Sequence, residues 1–301
     1  YGGLMDQALG WAQRSLWLTS PNPRVGCVLV NPAGRTIGQG HTQQAGGPHA
    51  EVMALRDAAA QGHSTAGATA YVTLEPCSHH GRTGPCCDAL INAGVRKVVA
   101  SIADPNPLVA GQGFARLRAA GVDVEVGPGA AESRELNIGF FSRMLRKTPW
   151  VRMKIAASLD GKTALPDGTS QWITSEAART DGHAWRARAC AVLTGIGTVL
   201  EDNPRLDVRL VDTPRQPIRV LVDSRLQVPL DAHILRAKSP LYIYAAEQND
   251  AKKSALEALG ATVIHLPNDQ GKVDLDAMLR DLGERQINEL HIEAGAKLNG
   301  S

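Results

Sequence analysis

Three short segments carry residue types that can hold a metal ion and move a proton: His49-Ala50-Glu51, Pro76-Cys77 and Pro85-Cys86. A catalytic zinc takes three nitrogen or sulfur ligands and keeps one position open for water. His49, Cys77 and Cys86 supply such a set. Metal binds thiolate rather than thiol, and the free N–H groups and dipole at a helix start favour the thiolate; Pro85 marks such a start just before Cys86. Glu51 has the reach to shuttle a proton of metal-activated water without being a ligand. Because side chains two apart diverge within a helix, this pairing requires His49 and Glu51 to sit at a helix start, which Pro48 supports. Cys87 competes with Cys86, which is preferred because it directly follows Pro85, whereas Cys87 would pack inward. His79 and His80 are further candidates, although three residues and water already complete a catalytic site. Singly, such residues are ordinary, a lone cysteine being a small hydrophobe and a lone histidine a structural group. Their combination points to metal-assisted hydrolysis.

These segments need elements to bring them together. Apolar spacing predicts a helix from Met5 to Leu18, and Val25–Val30 with Thr36–His41 reads as a hairpin around Asn31-Pro32-Ala33-Gly34. A helix follows over His49–Ala60, a strand over Thr69–Glu75, a helix over Pro85–Ala93 and a strand over Lys97–Ile102. Gln112–Ala120 reads as helix, Val122–Val126 as strand, and Ala130 to about Arg146 as one helix. The basic run Arg143–Lys147 before Thr148-Pro149 sets a boundary, giving domains 1–147 and 148–301. The second half repeats the pattern, with strands at Val151–Ala156, Ala191–Thr194, Ile218–Val222, Leu241–Ala245, Thr262–Leu266 and Glu289–Glu293. Its helices are expected at Ser175–Ala189, Lys252–Leu259 and Asp274–Leu282. This alternation is that of two α/β domains with mostly parallel sheets.

Composition narrows the function. The 301 residues are 43% hydrophobic with a formal net charge of +2, which excludes an unfolded polyelectrolyte and argues against a broad nucleic-acid footprint. Five unevenly spread cysteines do not make a disulfide scaffold and suit a reducing, cytoplasmic setting. No run reaches the length of a membrane span.

The strings Pro21-Asn-Pro-Arg-Val-Gly-Cys27 and Thr73-Leu-Glu-Pro-Cys-Ser-His-His-Gly-Arg-Thr-Gly-Pro-Cys86 carry a resemblance to the cytidine and deoxycytidylate deaminase superfamily, whose signature is H-x-E followed by P-C-x-x-C. Here eight residues separate the two cysteines where that signature has two. The longer spacing, with the loop bearing His79, His80, Gly81 and Arg82, is similar to the deaminase half of the bifunctional riboflavin-biosynthesis deaminase-reductase family, over roughly Met5 to Arg146. The resemblance implies a cytidine-deaminase-like α/β/α domain in which one zinc is held by His49, Cys77 and Cys86. The substrate would be a phosphoribosylaminopyrimidine that loses its 2-amino group, Glu51 would be the proton carrier, and Asn22 would contact the ribose.

In the second half, Lys154-Ile-Ala-Ala-Ser-Leu-Asp-Gly-Lys162 and Ser170-Gln-Trp-Ile-Thr-Ser175 resemble the reductase half of that family, whose fold is like dihydrofolate reductase. The resemblance implies reduction of the ribosyl group to ribityl by NADPH. Lys154, Ser170, Arg186, Leu206, Arg209 and Glu293 would contact substrate, and Ala156, Trp172, Thr198, Asp202, Ser224 and Gly295 the cofactor. Arginine suits a phosphate because its fork binds bidentately, and Ser224-Arg225 at the end of an apolar strand could hold a 2′-phosphate. In the family about sixty residues follow the loop at Gly295, so the reductase domain is expected to be incomplete at its C terminus. The expected partners are a small phosphorylated pyrimidine and a second copy joined through the reductase domain, with no nucleic acid and no membrane. Two other readings are a nucleoside or tRNA deaminase, opposed by the long Cys77–Cys86 span and the second domain, and a binding protein with structural zinc, opposed by Glu51.

Overall fold

Two separate sheets organise the chain, one in each of two units, Tyr1–Arg146 and Lys147–Ser301. The structure is a computed structural model that describes every residue except 1, 80–83, 167 and 170–172.

In the first unit the strands are β1 (Gly26–Val30), β2 (Thr36–His41), β3 (Thr69–Val72), β4 (Lys97–Ala100) and β5 (Asp123–Val126). They lie in the order β2-β1-β3-β4-β5. β1 runs antiparallel to β2 and β3, while β3, β4 and β5 are parallel. The helices are α1 (Gly2–Gln13), α2 (Ala50–Ala60), α3 (Cys86–Asn92), α4 (Gln112–Ala119), α5 (Ala130–Leu136) and α6 (Ile138–Arg146). β1, Gly-Cys-Val-Leu-Val, is buried throughout, as befits a strand covered on both faces. Cys27 and Leu29 enter a core with Ala50, Ala54, Ala58, Leu90 and Leu117, whereas Val28 and Val30 pack with Met5, Ala8 and Leu9 of α1.

Close approach decides where α2 starts. A Cβ at Gly38 would lie 2.3 Å from the carbonyl oxygen of Ala54, and one at Gly40 2.5 Å from the Cβ of Met53. Glycine on the strand and alanine on the helix therefore let α2 lie flush on β2, which fixes the height of His49 and Glu51 above the sheet.

Some element ends differ from expectation. α1 stops at Gln13 rather than Leu18; beyond it, buried Ser15 turns its hydroxyl to donate to the carbonyl of Thr42 at 2.9 Å. β3 stops at Val72 rather than Glu75; at Thr73 the N–H still donates to Gly26 O, but the hydroxyl, in place of the carbonyl, accepts the Gly26 N–H at 3.1 Å. The helix expected over 130–146 breaks at Asn137. There the buried amide accepts from Arg24 N at 2.7 Å and donates to Arg24 O at 2.9 Å, a side-chain substitute for a ladder pair.

In the second unit the strands are β6 (Trp150–Met153), β7 (Ala191–Gly195), β8 (Ile218–Val222), β9 (Leu241–Ala245), β10 (Ala261–His265) and β11 (Glu289–Ile292). The order is β10-β9-β8-β7-β11-β6, and every pairing is parallel. Its helices are α7 (Glu176–Arg188), α8 (Ile196–Asp202), α9 (Asp250–Ala258), α10 (Leu275–Glu284) and α11 (Ala296–Asn299). Val192, Leu221 and Ile243 fill the core on one face, and Leu193, Val220 and Tyr244 the core on the other. Two-sided burial explains the near-continuous apolar strands. β6 ends at Met153, short of the expected Ala156. α8 had no expectation, its single turns carrying a glycine and ending at Asn203 in the left-handed region.

Candidate functional site

In the first unit the chain ends of three elements converge. His49 is the N-cap of α2 with extended backbone, Cys77 lies beyond β3, and Cys86 is the first residue of α3. His49 Nδ1 lies 3.2 Å from Cys86 Sγ and 3.6 Å from Cys77 Sγ, and the three donor atoms all fall within 4.8 Å of one another. Zinc bond lengths of about 2.3 Å to sulfur and 2.0–2.1 Å to nitrogen place tetrahedral nitrogen–sulfur edges at about 3.5 Å. The donor set therefore fits a zinc ion in spacing as well as in chemistry.

The surroundings bias the two thiols differently. Cys77 is pulled down to about 4, chiefly because the Cys86 thiol, and then His49 and the Cys86 N–H, donate to it, against the cost of burial; the Cys86 N–H approaches its sulfur at 3.3 Å. Cys86 is pushed up because its thiol donates a hydrogen bond to Cys77, and by burial. Glu51, in the first turn of α2 and 3% exposed, is raised to about 7 by burial and then by the nearby Cys77. Cys87 points elsewhere: its thiol donates to the carbonyl of Pro76 at 3.2 Å. Asn22 is half-buried in the loop before β1. His80, Gly81 and Arg82 lie outside the described residues.

Around Cys77 the structure holds a residue that the sequence reading passed over. Glu75 is buried, and its carboxylate accepts the backbone N–H groups of Asp104 at 3.0 Å, Gly111 at 2.9 Å, Gly113 at 2.9 Å and Phe114 at 3.4 Å. The signal available was a carboxylate inside an apolar strand run, just before the proline-cysteine pair.

In the second unit a different crevice forms. β11 returns between β6 and β7, and open parallel sheets bind ligands outside the carboxyl ends of their strands where the winding direction reverses. Lys154 follows β6, Glu293 and Gly295 follow β11, and Thr198 lies in α8 just after β7. Glu293 is held well below the usual carboxylate range by Arg186 and His291, despite burial.

Three expected contacts take another form here. Arg186 was expected to grip phosphate, but its fork binds both Glu293 oxygens at 2.5 and 2.8 Å and its remaining nitrogen donates to Asp207 O at 2.9 Å. Leu206 is 2% exposed, with φ of 56° and its side chain in the core. The Ser224 hydroxyl accepts from Val273 N at 3.2 Å, and Arg225 is exposed, 3.9 Å from Glu247. Arg209 keeps a half-exposed guanidinium, 2.9 Å from Asp207. Ala156 is half-buried, Asp202 is exposed at the end of α8, and Ser170 and Trp172 lie outside the described residues.

Two family models divide the chain: the cytidine and deoxycytidylate deaminase zinc-binding region over residues 2–102, and the RibD C-terminal domain over 149–301. Riboflavin biosynthesis protein RibD of Escherichia coli K12 is 47% identical over 309 residues, spanning 99% of this chain and 82% of that protein. The chain belongs to the RibD family. The RibD protein of Aquifex aeolicus is 43% identical, over 97% of this chain and 80% of its own length. Among solved structures, RibD of Acinetobacter baumannii superposes with a TM-score of 0.88 at 44% identity, covering 98% of this chain and 80% of that one. A Thermotoga maritima protein described as a diaminohydroxyphosphoribosylaminopyrimidine deaminase/5-amino-6-(5-phosphoribosylamino)uracil reductase superposes with 0.87 at 35%, covering 99% and 82%. As a RibD protein the chain is a bifunctional enzyme of riboflavin biosynthesis, a zinc-dependent deaminase and a reductase, built from two α/β units. Among the described residues no helix is long and apolar enough to cross a membrane.

Proposed function

We propose that residues 1–147 deaminate 2,5-diamino-6-(5-phosphoribosylamino)pyrimidin-4(3H)-one and that residues 148–301 then reduce the ribosyl group of the product to ribityl with hydride from NADPH. The observation that carries the first half is the convergence of His49, Cys77 and Cys86 beside buried Glu51. These three residues would hold the zinc. When bound, zinc supplies a Lewis acid that makes water a competent nucleophile at neutral pH. Glu51, buried and raised above the usual carboxylate range, would take a proton from the attacking water as its oxygen bonds to C2 and would pass it to the 2-amino group, whose C2–N bond breaks to release ammonia. Asn22 would meet the ribose.

For the reductase, the reading is supported by the cations and carboxylate gathered at the carboxyl ends of β6 and β11. Arg186 serves to hold Glu293 rather than a phosphate, and Glu293 then presents a fixed carboxylate to the sugar hydroxyls. Lys154 and Arg209, both exposed, would meet the substrate phosphate, Arg209 while keeping its contact with Asp207. Ala156, Trp172, Thr198, Asp202, Ser224 and Gly295 would form the NADPH side, and Ser170 would meet the substrate.

Both steps are tested by supplying the diaminopyrimidinone phosphate to the zinc-loaded protein and following ammonia release, then NADPH oxidation. Release of ammonia from cytidine or dCMP but not from this compound would replace the substrate assignment, and equal use of NADH would remove the 2′-phosphate from the cofactor reading.

A further inference from the structure

Cys77 is bracketed on both sides by one helix. Two residues before it, Glu75 collects the N–H groups of Asp104, Gly111, Gly113 and Phe114, which are the loop after β4 and the first turn of α4. One residue after it, Ser78 O accepts from Arg116 of α4 at 3.2 Å. The same Arg116 pairs with Asp88 in the first turn of α3 at 2.7 Å. Between these ties, Pro76 O and Cys77 O accept from the thiol and N–H of Cys87 at 3.2 and 3.1 Å. There is no slack at the contact: a Cβ on Gly113 would lie 2.1 Å from Pro76 O.

From this we infer that Glu75 is a positioning residue of the zinc centre, acting through α4 to set where the Cys77 sulfur lies relative to Cys86. The rigid φ of Pro76 transmits the position of Glu75 to Cys77, and Arg116 ties the α3 end that carries Cys86 to the same strut. A carboxylate suits the role because it offers only acceptors, about four lone-pair sites for four donors. Glutamine would turn an N–H₂ group toward N–H groups. The inference rests on Cys77 being a zinc ligand.

The test uses the full chain loaded with Co²⁺ in place of zinc, reading the thiolate-to-cobalt and d–d absorption, with zinc affinity from chelator competition. Glu75→Gln is expected to shift the d–d bands and weaken zinc by about 10- to 100-fold, the range for groups that orient ligands, while reductase turnover on pre-deaminated substrate is unchanged. Gly113→Ala, which leaves the carboxylate intact, should move the same bands by pushing on Pro76, and this variant keeps the test open should Glu75→Gln fold poorly. Unaltered cobalt spectra and zinc affinity in both variants would overturn the inference, even if deamination fell. A Cys77→Ser protein that kept the full thiolate band would instead overturn the ligand reading beneath it.

Discussion

A proton carrier and a ligand can be separated experimentally because they fail differently. Glu51→Gln should keep zinc at wild-type stoichiometry and lose deamination by about 10²- to 10⁴-fold, the usual worth of general acid–base catalysis; unchanged turnover would remove Glu51 from the chemistry. Cys86→Ser should lose bound metal, whereas Cys87→Ser should keep it because its thiol donates to Pro76 O, away from His49. Metal analysis showing the reverse would exchange the two roles. The different placement of the adjacent cysteines, Cys86 beside His49 and Cys87 against Pro76 O, follows from Pro85, which marks where α3 opens. Arg186 was not legible in the same way. A lone arginine near a family motif reads as free for phosphate, and its partner Glu293 stands 107 positions away in sequence. Leu206 is similar, since no pattern in its neighbourhood signals a left-handed backbone that turns the side chain inward.

Elements were legible where a period or a punctuating residue ran long enough. Their ends were settled by single polar groups. Asn137 breaks the long helix because its amide satisfies the buried backbone of Arg24, so Asn137→Ala should cost about 2–4 kcal/mol by stranding a donor and an acceptor, measured by urea unfolding; a loss under about 0.5 kcal/mol would mean water replaces it. His183 of α7 accepts the Arg209 N–H at 3.1 Å and is held neutral, lowered to about 4 by burial and by the cations Arg186 and Arg209. An unfolded histidine titrates near about 6.5, so between the two values the unfolded chain binds the extra proton. Stability of the second unit should therefore fall as pH drops from about 6.5 to 4, by at most about 3 kcal/mol. His183→Gln should flatten that slope in a pH series of denaturation curves, and an unchanged slope would assign it to other groups.

At the scale of the whole molecule, each unit owns its core, the first built on β1 and the second on β7, β8 and β9. Metal binding to the native state alone stabilises the unit that contains the site. Stripping zinc should lower the melting transition of the first unit and leave that of the second in place, as two resolved calorimetric steps. A single transition that moves as one would show that the units unfold together. The division into two α/β units was legible from the restart of the strand–helix alternation after Thr148-Pro149. The strand order of the second sheet was not, because the final strand's insertion between β6 and β7 leaves no mark on either strand's composition.

That insertion governs when β6 can join the second sheet. Trp150 in β6 pairs with Glu289 in β11, so among the described strands β6 has no neighbour until β11 exists. β7 through β10 can zip locally, each onto its predecessor, but β6 must wait across a loop of roughly 140 residues, and such distant pairings slow folding. On the ribosome, at about 5–20 residues per second, the wait is about 7 to 28 s. Through that interval Val151 and Met153 lack their β11 partner, and the β6–β11 ladder is expected to be the last of the described pairings to gain protection from hydrogen exchange.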